Sequence, residues 1–320
     1  MNKKERVMAT FAGLEPDRTP TGFWMHFPKE YYYGDAAVKK HLEYFEKTQT
    51  DICKVMTEYM YPCDHRIKAA ADWQTVQSYN RDADFIRGQA DIIKKIADIG
   101  VDGSLAATIH GVVASASHTL LGFANYDGIG RYAQLFHLRT NPEAVSSAYR
   151  RIADTLCVLA QEAVHAGAEG IYYAALGGEG DGFTDEEHAR YIGPLDRQVI
   201  EAAYAAGAKY VILHICKPKV RLTRFTDYRA DAVNWGVEES GVPLSEGRRL
   251  FPDKVLLGGL NHHEGCLFQD NYDILEKEVH ALIDQVGKKK LIVGSDCTLP
   301  GTMPYERIAS VAKACASYSG

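Results

Sequence analysis

The sequence lacks the features that would place it outside the soluble globular proteins. No run of 18 apolar residues occurs in its 320 residues, so we expect no membrane span. The polar start, residues 1–6, is unlike a secretory signal, and we therefore expect a cytoplasmic location. The net charge is −6 and the basic runs are short, such as the three lysines at 288–290, so we expect no nucleic-acid partner.

Phosphate-binding and disulfide patterns are also missing. We find no G-x-G-x-x-G after a strand and no G-K-[ST] loop. The glycine-rich stretch 177–182 contains two acids that would repel phosphate, and we interpret it as a mobile loop over a barrel mouth or as a plain flexible connection. Seven scattered cysteines, an odd number, suit reduced thiols better than a disulfide framework.

What the sequence does contain is a repeated unit of helix, small-residue turn and buried strand. The turns at 166–169 (Ala-Gly-Ala-Glu) and 206–209 (Ala-Gly-Ala-Lys) each precede an apolar strand. Predicted strands lie at 21–26, 51–57, 105–111, 171–175, 210–214, 231–235, 255–260 and 291–295. Predicted helices lie at 3–13, 35–48, 82–99, 140–166, 199–206 and 304–317. Eight such units favour an α/β fold of the (β/α)8 TIM-barrel type, formed by residues 1–320 as a single domain.

Two of the predicted strands end in soft metal ligands. The run at 211–217 contains His214 and Cys216, and the run at 291–296 is followed by Cys297. One imidazole and two thiols would make three ligands of a zinc site with an open fourth position, which is the catalytic pattern. Free cysteine is also a common core residue, so the residues alone leave a purely structural role open.

In a barrel of this type, polar residues at the carboxyl ends of strands mark the active face. They are His26, Glu58, His110, Glu179, His214, Cys216, Asn234, Trp235, Asn261, His262, His263, Asp296 and Cys297. We predict Glu179 as a possible fourth ligand or acid/base group. We predict a substrate pocket formed by His26, Trp24, Glu58, His110, Tyr173, Asn234 and Asn261.

Five segments in collinear order resemble the uroporphyrinogen decarboxylase superfamily. They are residues 5–8 (Glu-Arg-Val-Met), 15–20 (Glu-Pro-Asp-Arg-Thr-Pro), 166–171 (Ala-Gly-Ala-Glu-Gly-Ile), 231–235 (Asp-Ala-Val-Asn-Trp) and 258–260 (Gly-Gly-Leu). The resemblance covers nearly the whole chain. It implies a (β/α)8 barrel with an N-terminal extension.

Two chemistries occur in that superfamily. The decarboxylases hold a tetrapyrrole's carboxylates with arginines near the N-terminus, but here no arginine lies between Arg18 and Arg66, which disfavours decarboxylation. The other branch, the zinc-dependent methyltransferases of corrinoid systems, is marked by His-x-Cys and a distant Cys. This sequence carries that mark, and the resemblance implies that His214, Cys216 and Cys297 bind Zn²⁺.

The methyltransferase branch implies a partner as well as a metal. The sequence has no Asp-x-His-x-x-Gly corrinoid-binding motif, so the cobalamin is expected on a separate corrinoid protein that docks at the barrel mouth. The small substrate would be a methyl ether or a thiol, and the aromatic segment with Phe23, Trp24 and Phe27 slightly favours an aromatic or apolar methyl donor. Two alternatives remain: a metal-free decarboxylase-like lyase, and a non-catalytic binding module that keeps the barrel.

Overall fold

Eight parallel strands form a nearly closed barrel, so the predicted (β/α)8 fold is confirmed. The structure is a computed structural model that describes residues 1–64, 66–121 and 128–320. The strands are β1 (Thr21–Gly22), β2 (Ile52–Val55), β3 (Ser104–His110), β4 (Gly170–Ala175), β5 (Tyr210–Ile215), β6 (Ala232–Trp235), β7 (Val255–Leu260) and β8 (Leu291–Ser295). Neighbouring strands pair in chain order from β2 to β8, and β1 pairs with β8.

The barrel closes where β1 lies between β8 and the start of β2. Thr21 is in register with Val293, and the Asp51 amide donates a hydrogen bond of 3.0 Å to the Thr21 carbonyl on the other side. A Cβ on Gly294 would overlap the Gly22 carbonyl oxygen, so this close approach of β8 to β1 requires glycine.

Helices surround the strands, as expected for βα units. They are α1 (Lys3–Phe11), α2 (Gly34–Thr48), α3 (Asp84–Ile99), α4 (Val112–Leu121), α5 (Ile129–Thr140), α6 (Pro142–His165), α7 (Asp185–Glu187), α8 (Gly193–Ala205), α9 (Val237–Ser240), α10 (Leu244–Leu250), α11 (Tyr272–Val286) and α12 (Tyr305–Ser317). None of the helices described is long and apolar enough to cross a membrane.

The predicted elements differ from the structure in the first strand and in several helices. The first strand was expected over 21–26, but regular pairing covers only Thr21–Gly22, and Met25 makes an isolated bridge to Leu299. Helices α4, α5, α7, α9, α10 and α11 were not among those predicted. Helix α4 is buried along nearly its whole length, so it shows little of the polar and apolar periodicity that identifies a surface helix.

Apolar side chains fill both sides of the strand layer. The larger core lies between strands and helices, and a smaller cluster inside the barrel includes Trp24, Met56, Tyr172 and Ile212. Val7 of α1 belongs to this inner cluster, and Phe11 stacks on Tyr210 with ring centroids 4.3 Å apart. Helix α1 therefore covers the amino-terminal end of the barrel, leaving its carboxyl end as the face on which a site can open.

The glycine-rich stretch 177–182 is held against the segment that follows β5. Glu179 forms an isolated bridge with Val220, and the Gly180 amide donates to the Lys219 carbonyl at 2.9 Å. The Glu179 side chain is buried. These contacts tie the stretch to the rim of the barrel at several points.

Candidate metal centre and cavity

The folded chain brings His214, Cys216 and Cys297 together at the carboxyl end of the barrel. His214 lies in β5, Cys216 follows that strand directly, and Cys297 lies two residues beyond β8. Their ligand atoms all lie within 4.8 Å of one another. Residues 81 positions apart in the chain therefore meet because the carboxyl ends of parallel strands share one edge.

The separations between the ligand atoms suit one tetrahedral metal ion. The two sulfur atoms are 4.0 Å apart, and Cys297 Sγ lies 3.5 Å from His214 Nε2. Zinc with ordinary bond lengths would place two sulfur atoms about 3.8 Å apart and a sulfur and a nitrogen about 3.6 Å apart. The residues present thus fit a divalent ion that prefers nitrogen and sulfur ligands.

Asn234 of β6 fixes the orientation and the tautomer of His214. Its amide nitrogen donates to the carbonyls of Leu257 and Ser295 at 2.9 and 3.2 Å, so its oxygen must face His214 Nδ1, 2.6 Å away. Because that oxygen only accepts, His214 Nδ1 carries the proton and Nε2 presents a lone pair to the two sulfur atoms. A metal-binding histidine is typically held in this way through its second ring nitrogen.

The pKa values of the Cys216 and Cys297 thiols are shifted in opposite directions. A hydrogen bond from Cys216 lowers the pKa of Cys297 well below its usual value, and the imidazoles of His214 and His262 act in the same direction. The hydrogen bond with Cys297 and burial raise the pKa of Cys216. One thiolate is therefore favoured even without a cation, and a cation would favour the loss of the second proton.

A cavity of about 660 Å³ opens beside these three residues. Its walls include Met56, Tyr172, Leu176 and Leu299, and it is large enough for a small organic molecule. Tyr172 stacks on the His214 ring with centroids 5.4 Å apart, and its hydroxyl donates to Asn234 at 3.2 Å. The cavity and the ligand cluster thus form one continuous site.

Two of the residues predicted for the substrate pocket line this cavity, His26 and His110. The His26 Nδ1 atom lies 2.6 Å from the carboxylate of Glu58, which is itself buried behind it. Burial lowers the pKa of His110 well below its usual value, and His118, His26 and Lys54 add to the effect. His110 is therefore a neutral imidazole that can accept or donate one hydrogen bond.

The other predicted residues lie outside the cavity wall. Trp24 is buried inside the barrel, and Asn234 lies behind His214. Tyr173 points to the helix layer, where its hydroxyl donates to Asp196 at 2.5 Å. Asn261 donates to Glu238 at 2.5 Å in the loop after β7.

Glu179 is engaged by other residues in this structure. Its carboxylate pairs with Arg131 and accepts a hydrogen bond of 2.9 Å from the Gly177 amide. It is not in the group formed by the two cysteines and His214. Its role as a fourth ligand therefore stays a prediction that would require this pair to separate.

Sequence reasoning missed Lys54, which lines the cavity from β2. It placed His262 and His263 on the active face but did not group them with Glu239, although the ligand atoms of all three lie within 4.8 Å of one another at the rim of the same cavity. From the sequence alone, a lysine within a short strand is expected to face outward, and only the folded barrel shows that this one faces inward. The adjacent histidines at 262 and 263 were the only signal for the second group.

Comparisons with known proteins agree with this architecture. The model of the family "Uroporphyrinogen decarboxylase (URO-D)" matches residues 65–318. A methyltransferase from Methanosarcina mazei superposes with a TM-score of 0.76 at 15% identity, covering 98% of each chain. A B12-independent methionine synthase from Shewanella sp. W3-18-1, in complex with selenomethionine, gives 0.60 at 13% identity over 93% of this chain and 97% of the other. These identities show a shared fold, and no curated protein matches the sequence.

Proposed function

The chain belongs to the uroporphyrinogen decarboxylase family, and from that premise we propose that it is a zinc-dependent methyltransferase. It moves a methyl group between a small substrate, a methyl ether or a thiol, and the cobalt of a separate corrinoid protein. The observation that carries the proposal is the convergence of His214, Cys216 and Cys297 at the open end of the barrel, with Asn234 fixing the histidine tautomer.

His214, Cys216 and Cys297 would hold zinc beside the cavity. When bound, the ion supplies Lewis acidity, which lowers the pKa of a thiol or polarises the oxygen of a methyl ether. Two thiolates and a neutral imidazole balance the charge of the ion. Asn234 holds the imidazole, and Tyr172 and Leu299 contribute apolar wall to the cavity beside it.

Two of the similar structures support methyl transfer over decarboxylation. The similar structures include a methyltransferase and a methionine synthase, both named for methyl-transfer chemistry. Arg131 in the cavity wall pairs with Glu179, and no arginine lies between Arg18 and Arg66, the region in which a decarboxylase carries the arginines that hold its substrate's carboxylates.

An exposed apolar face beside the mouth supports a docking partner. Ile129, Tyr132 and Phe136 follow one face of α5 and are exposed by 61%, 52% and 68%. Tyr132 also lines the cavity. A corrinoid protein that covers this face would bring its cobalt to the mouth.

Metal analysis of purified protein tests the proposal directly. We expect about one zinc per chain in the wild type and a large loss in Cys216→Ser and Cys297→Ser, since each removes one of three ligands. Cys157→Ser is the matched control, because Cys157 is also a half-buried free thiol but lies on α6. Wild-type protein that takes up no zinc would contradict the proposal.

A second assay tests the reaction. The zinc-loaded protein is incubated with methylcobalamin or cob(I)alamin and a panel of thiols and methoxylated compounds, and the cobalt absorbance is followed. We expect a change that depends on both cysteines. Stoichiometric zinc without methyl transfer to or from any cobalamin would instead favour the non-catalytic binding module.

A further inference from the structure

Glu239, His262 and His263 lie close together at the rim of the cavity, on the segments that follow two neighbouring strands. Glu239 lies in α9, after β6, and the two histidines follow β7. The Nε2 atoms of His262 and His263 are each 3.8 Å from the same carboxylate oxygen of Glu239. That distance is too long for a hydrogen bond, so the three side chains surround a space rather than bond to one another.

The two histidine rings stack closely, and this limits the charge they can carry. The ring centroids of His262 and His263 are 3.9 Å apart. Two protonated imidazoles at this distance would repel each other, so the pair favours a state in which at least one ring is neutral and offers a lone pair. A divalent cation binds neutral imidazoles together with a carboxylate, and its binding therefore removes the conflict.

His262 is buried with an incomplete set of partners. The residue is 6% exposed, and its Nδ1 atom has no hydrogen-bond partner among the described residues. A buried polar atom that lacks a partner is unfavourable, which is consistent with a ligand that the protein itself does not supply. The side chain of His263 is 69% exposed, so the group extends from the interior to the solvent from which an ion would enter.

Hydrogen bonds hold the two segments in position. The side chain of Asn261 donates to Glu238, the residue before Glu239, at 2.5 Å, and its oxygen accepts from the amide of His263 at 2.8 Å. The carboxylate of Asp296 accepts from one backbone amide on each segment, at 3.0 and 2.9 Å. The backbone that carries the three side chains is therefore fixed before any ion binds, as a preformed site requires.

We propose that Glu239, His262 and His263 form a second site for a divalent cation, separate from the cluster of His214 and the two cysteines. Two imidazoles and one carboxylate favour Zn²⁺, Co²⁺ or Ni²⁺ over Mg²⁺ and Ca²⁺, which prefer oxygen ligands. With bonds of about 2.1 Å, such an ion would set each nitrogen about 3.4 Å from the carboxylate oxygen, so each pair closes by only about 0.4 Å. The inference does not rest on the proposed function.

Titration of zinc-loaded, dialysed protein with Co²⁺, followed by calorimetry, tests the second site. Thiolates bind zinc more tightly than imidazole and carboxylate do, so we expect the dialysed protein to keep about one zinc, in the cysteine cluster, and to bind about one Co²⁺ at the rim. We expect His263→Ala and Glu239→Gln each to weaken Co²⁺ binding at least about tenfold, since each loses one of three ligands.

His165→Ala is the matched control for the titration. His165 is also an exposed histidine beside a carboxylate, with 3.7 Å between its Nδ1 atom and an oxygen of Glu162. Among the described residues it belongs to no group of three such ligands, so we expect its removal to leave Co²⁺ binding unchanged. Wild-type protein that binds no Co²⁺ beyond its zinc, or a His263→Ala variant with unchanged affinity, would overturn the inference.

The double variant Cys216→Ser/Cys297→Ser separates this inference from the proposed function. It lacks two ligands of the cysteine cluster, yet we expect it to bind Co²⁺ with the affinity of the zinc-loaded wild type. Loss of that binding in a variant whose circular dichroism is unchanged would overturn the inference of a separate site. Wild-type protein that takes up no zinc but binds Co²⁺ through His263 would support the second site while the methyltransferase proposal fails. Zinc uptake and methyl transfer without Co²⁺ binding would give the opposite result.

Discussion

Asp51 and Lys54 are three residues apart at one strand and both are buried, but they differ in the number of polar partners. Asp51, just before β2, is fully buried and accepts hydrogen bonds of 2.6 to 3.1 Å from Arg6, Arg18 and both the amide and hydroxyl of Thr21. Lys54, inside β2, has no such partners. The buried charge of Asp51 is thus paired within the protein, whereas no carboxylate of the described residues lies within 4.0 Å of the Lys54 ammonium.

Removing the paired negative charge of Asp51 should have the largest effect on stability. We expect Asp51→Asn to lower the free energy of unfolding by about 3 to 5 kcal/mol, because two buried arginine contacts lose their counter-charge. Asp17→Asn is the control, since Asp17 also binds Arg6 but its side chain is 41% exposed, and we expect less than about 1 kcal/mol. Urea unfolding measures both, and equal losses would contradict the comparison.

Removing the side chain that supports the ligand cluster should lower the affinity for zinc in addition to its cost in stability. We expect Asn234→Ala to reduce zinc affinity roughly 10- to 100-fold, because His214 loses the acceptor that fixes its tautomer. Competition with a chromophoric chelator gives the affinity. Tyr172→Phe removes one hydrogen bond to the same amide oxygen and should have a smaller effect. An unchanged affinity in Asn234→Ala would show that the histidine needs no such support.

Removing the unpaired charge should stabilise the protein. We expect Lys54→Met to raise the free energy of unfolding by about 1 kcal/mol, since an apolar side chain replaces a buried ammonium among Trp24, Met56 and Tyr172. Thermal unfolding of wild type and variant without ligand measures the difference. A clear loss of stability would mean that Lys54 has a structural role like that of Asp51.

The same lysine predicts a pH dependence of stability. Burial lowers its pKa to about 7 from an ordinary value of 10.5, so the unfolded chain binds more protons between these values. The free energy of unfolding should therefore rise with pH above about 7, at most by about 1.4 kcal/mol per pH unit. The advantage of Lys54→Met over the wild type should shrink accordingly between neutral and mildly alkaline pH. A constant difference would contradict the lowered pKa.

Much of the fold could be predicted from the sequence because the strands are short apolar runs, two of which directly follow an Ala-Gly-Ala turn. The strands at Val255–Leu260 and Leu291–Ser295 have the predicted bounds. Helix α4 could not be predicted in this way, since Val112 and the seven residues that follow are all buried. The ligand set was predicted as a group, and the structure brings its three members together.

The direction of individual side chains could not be read from the sequence. Strands in such barrels are buried on both faces, so hydrophobicity does not show which alternate residues point inward. Tyr173 was predicted for the pocket, but its neighbour Tyr172 lines the cavity. Asn234 points inward as expected, yet it lies behind His214 rather than against a substrate. Lys54 could be recognised as a cavity residue only from the position of β2 in the folded barrel.

The hydrogen bonds of Asn234 also have a consequence for folding fidelity. From β6, this one side chain contacts His214 of β5, the Leu257 carbonyl of β7 and the Ser295 carbonyl of β8. A slip of β8 by one residue would remove one of these partners and turn Cys297 away from the inner face. Uptake of the proposed metal by refolding protein would therefore report whether the four strands β5 to β8 have aligned correctly.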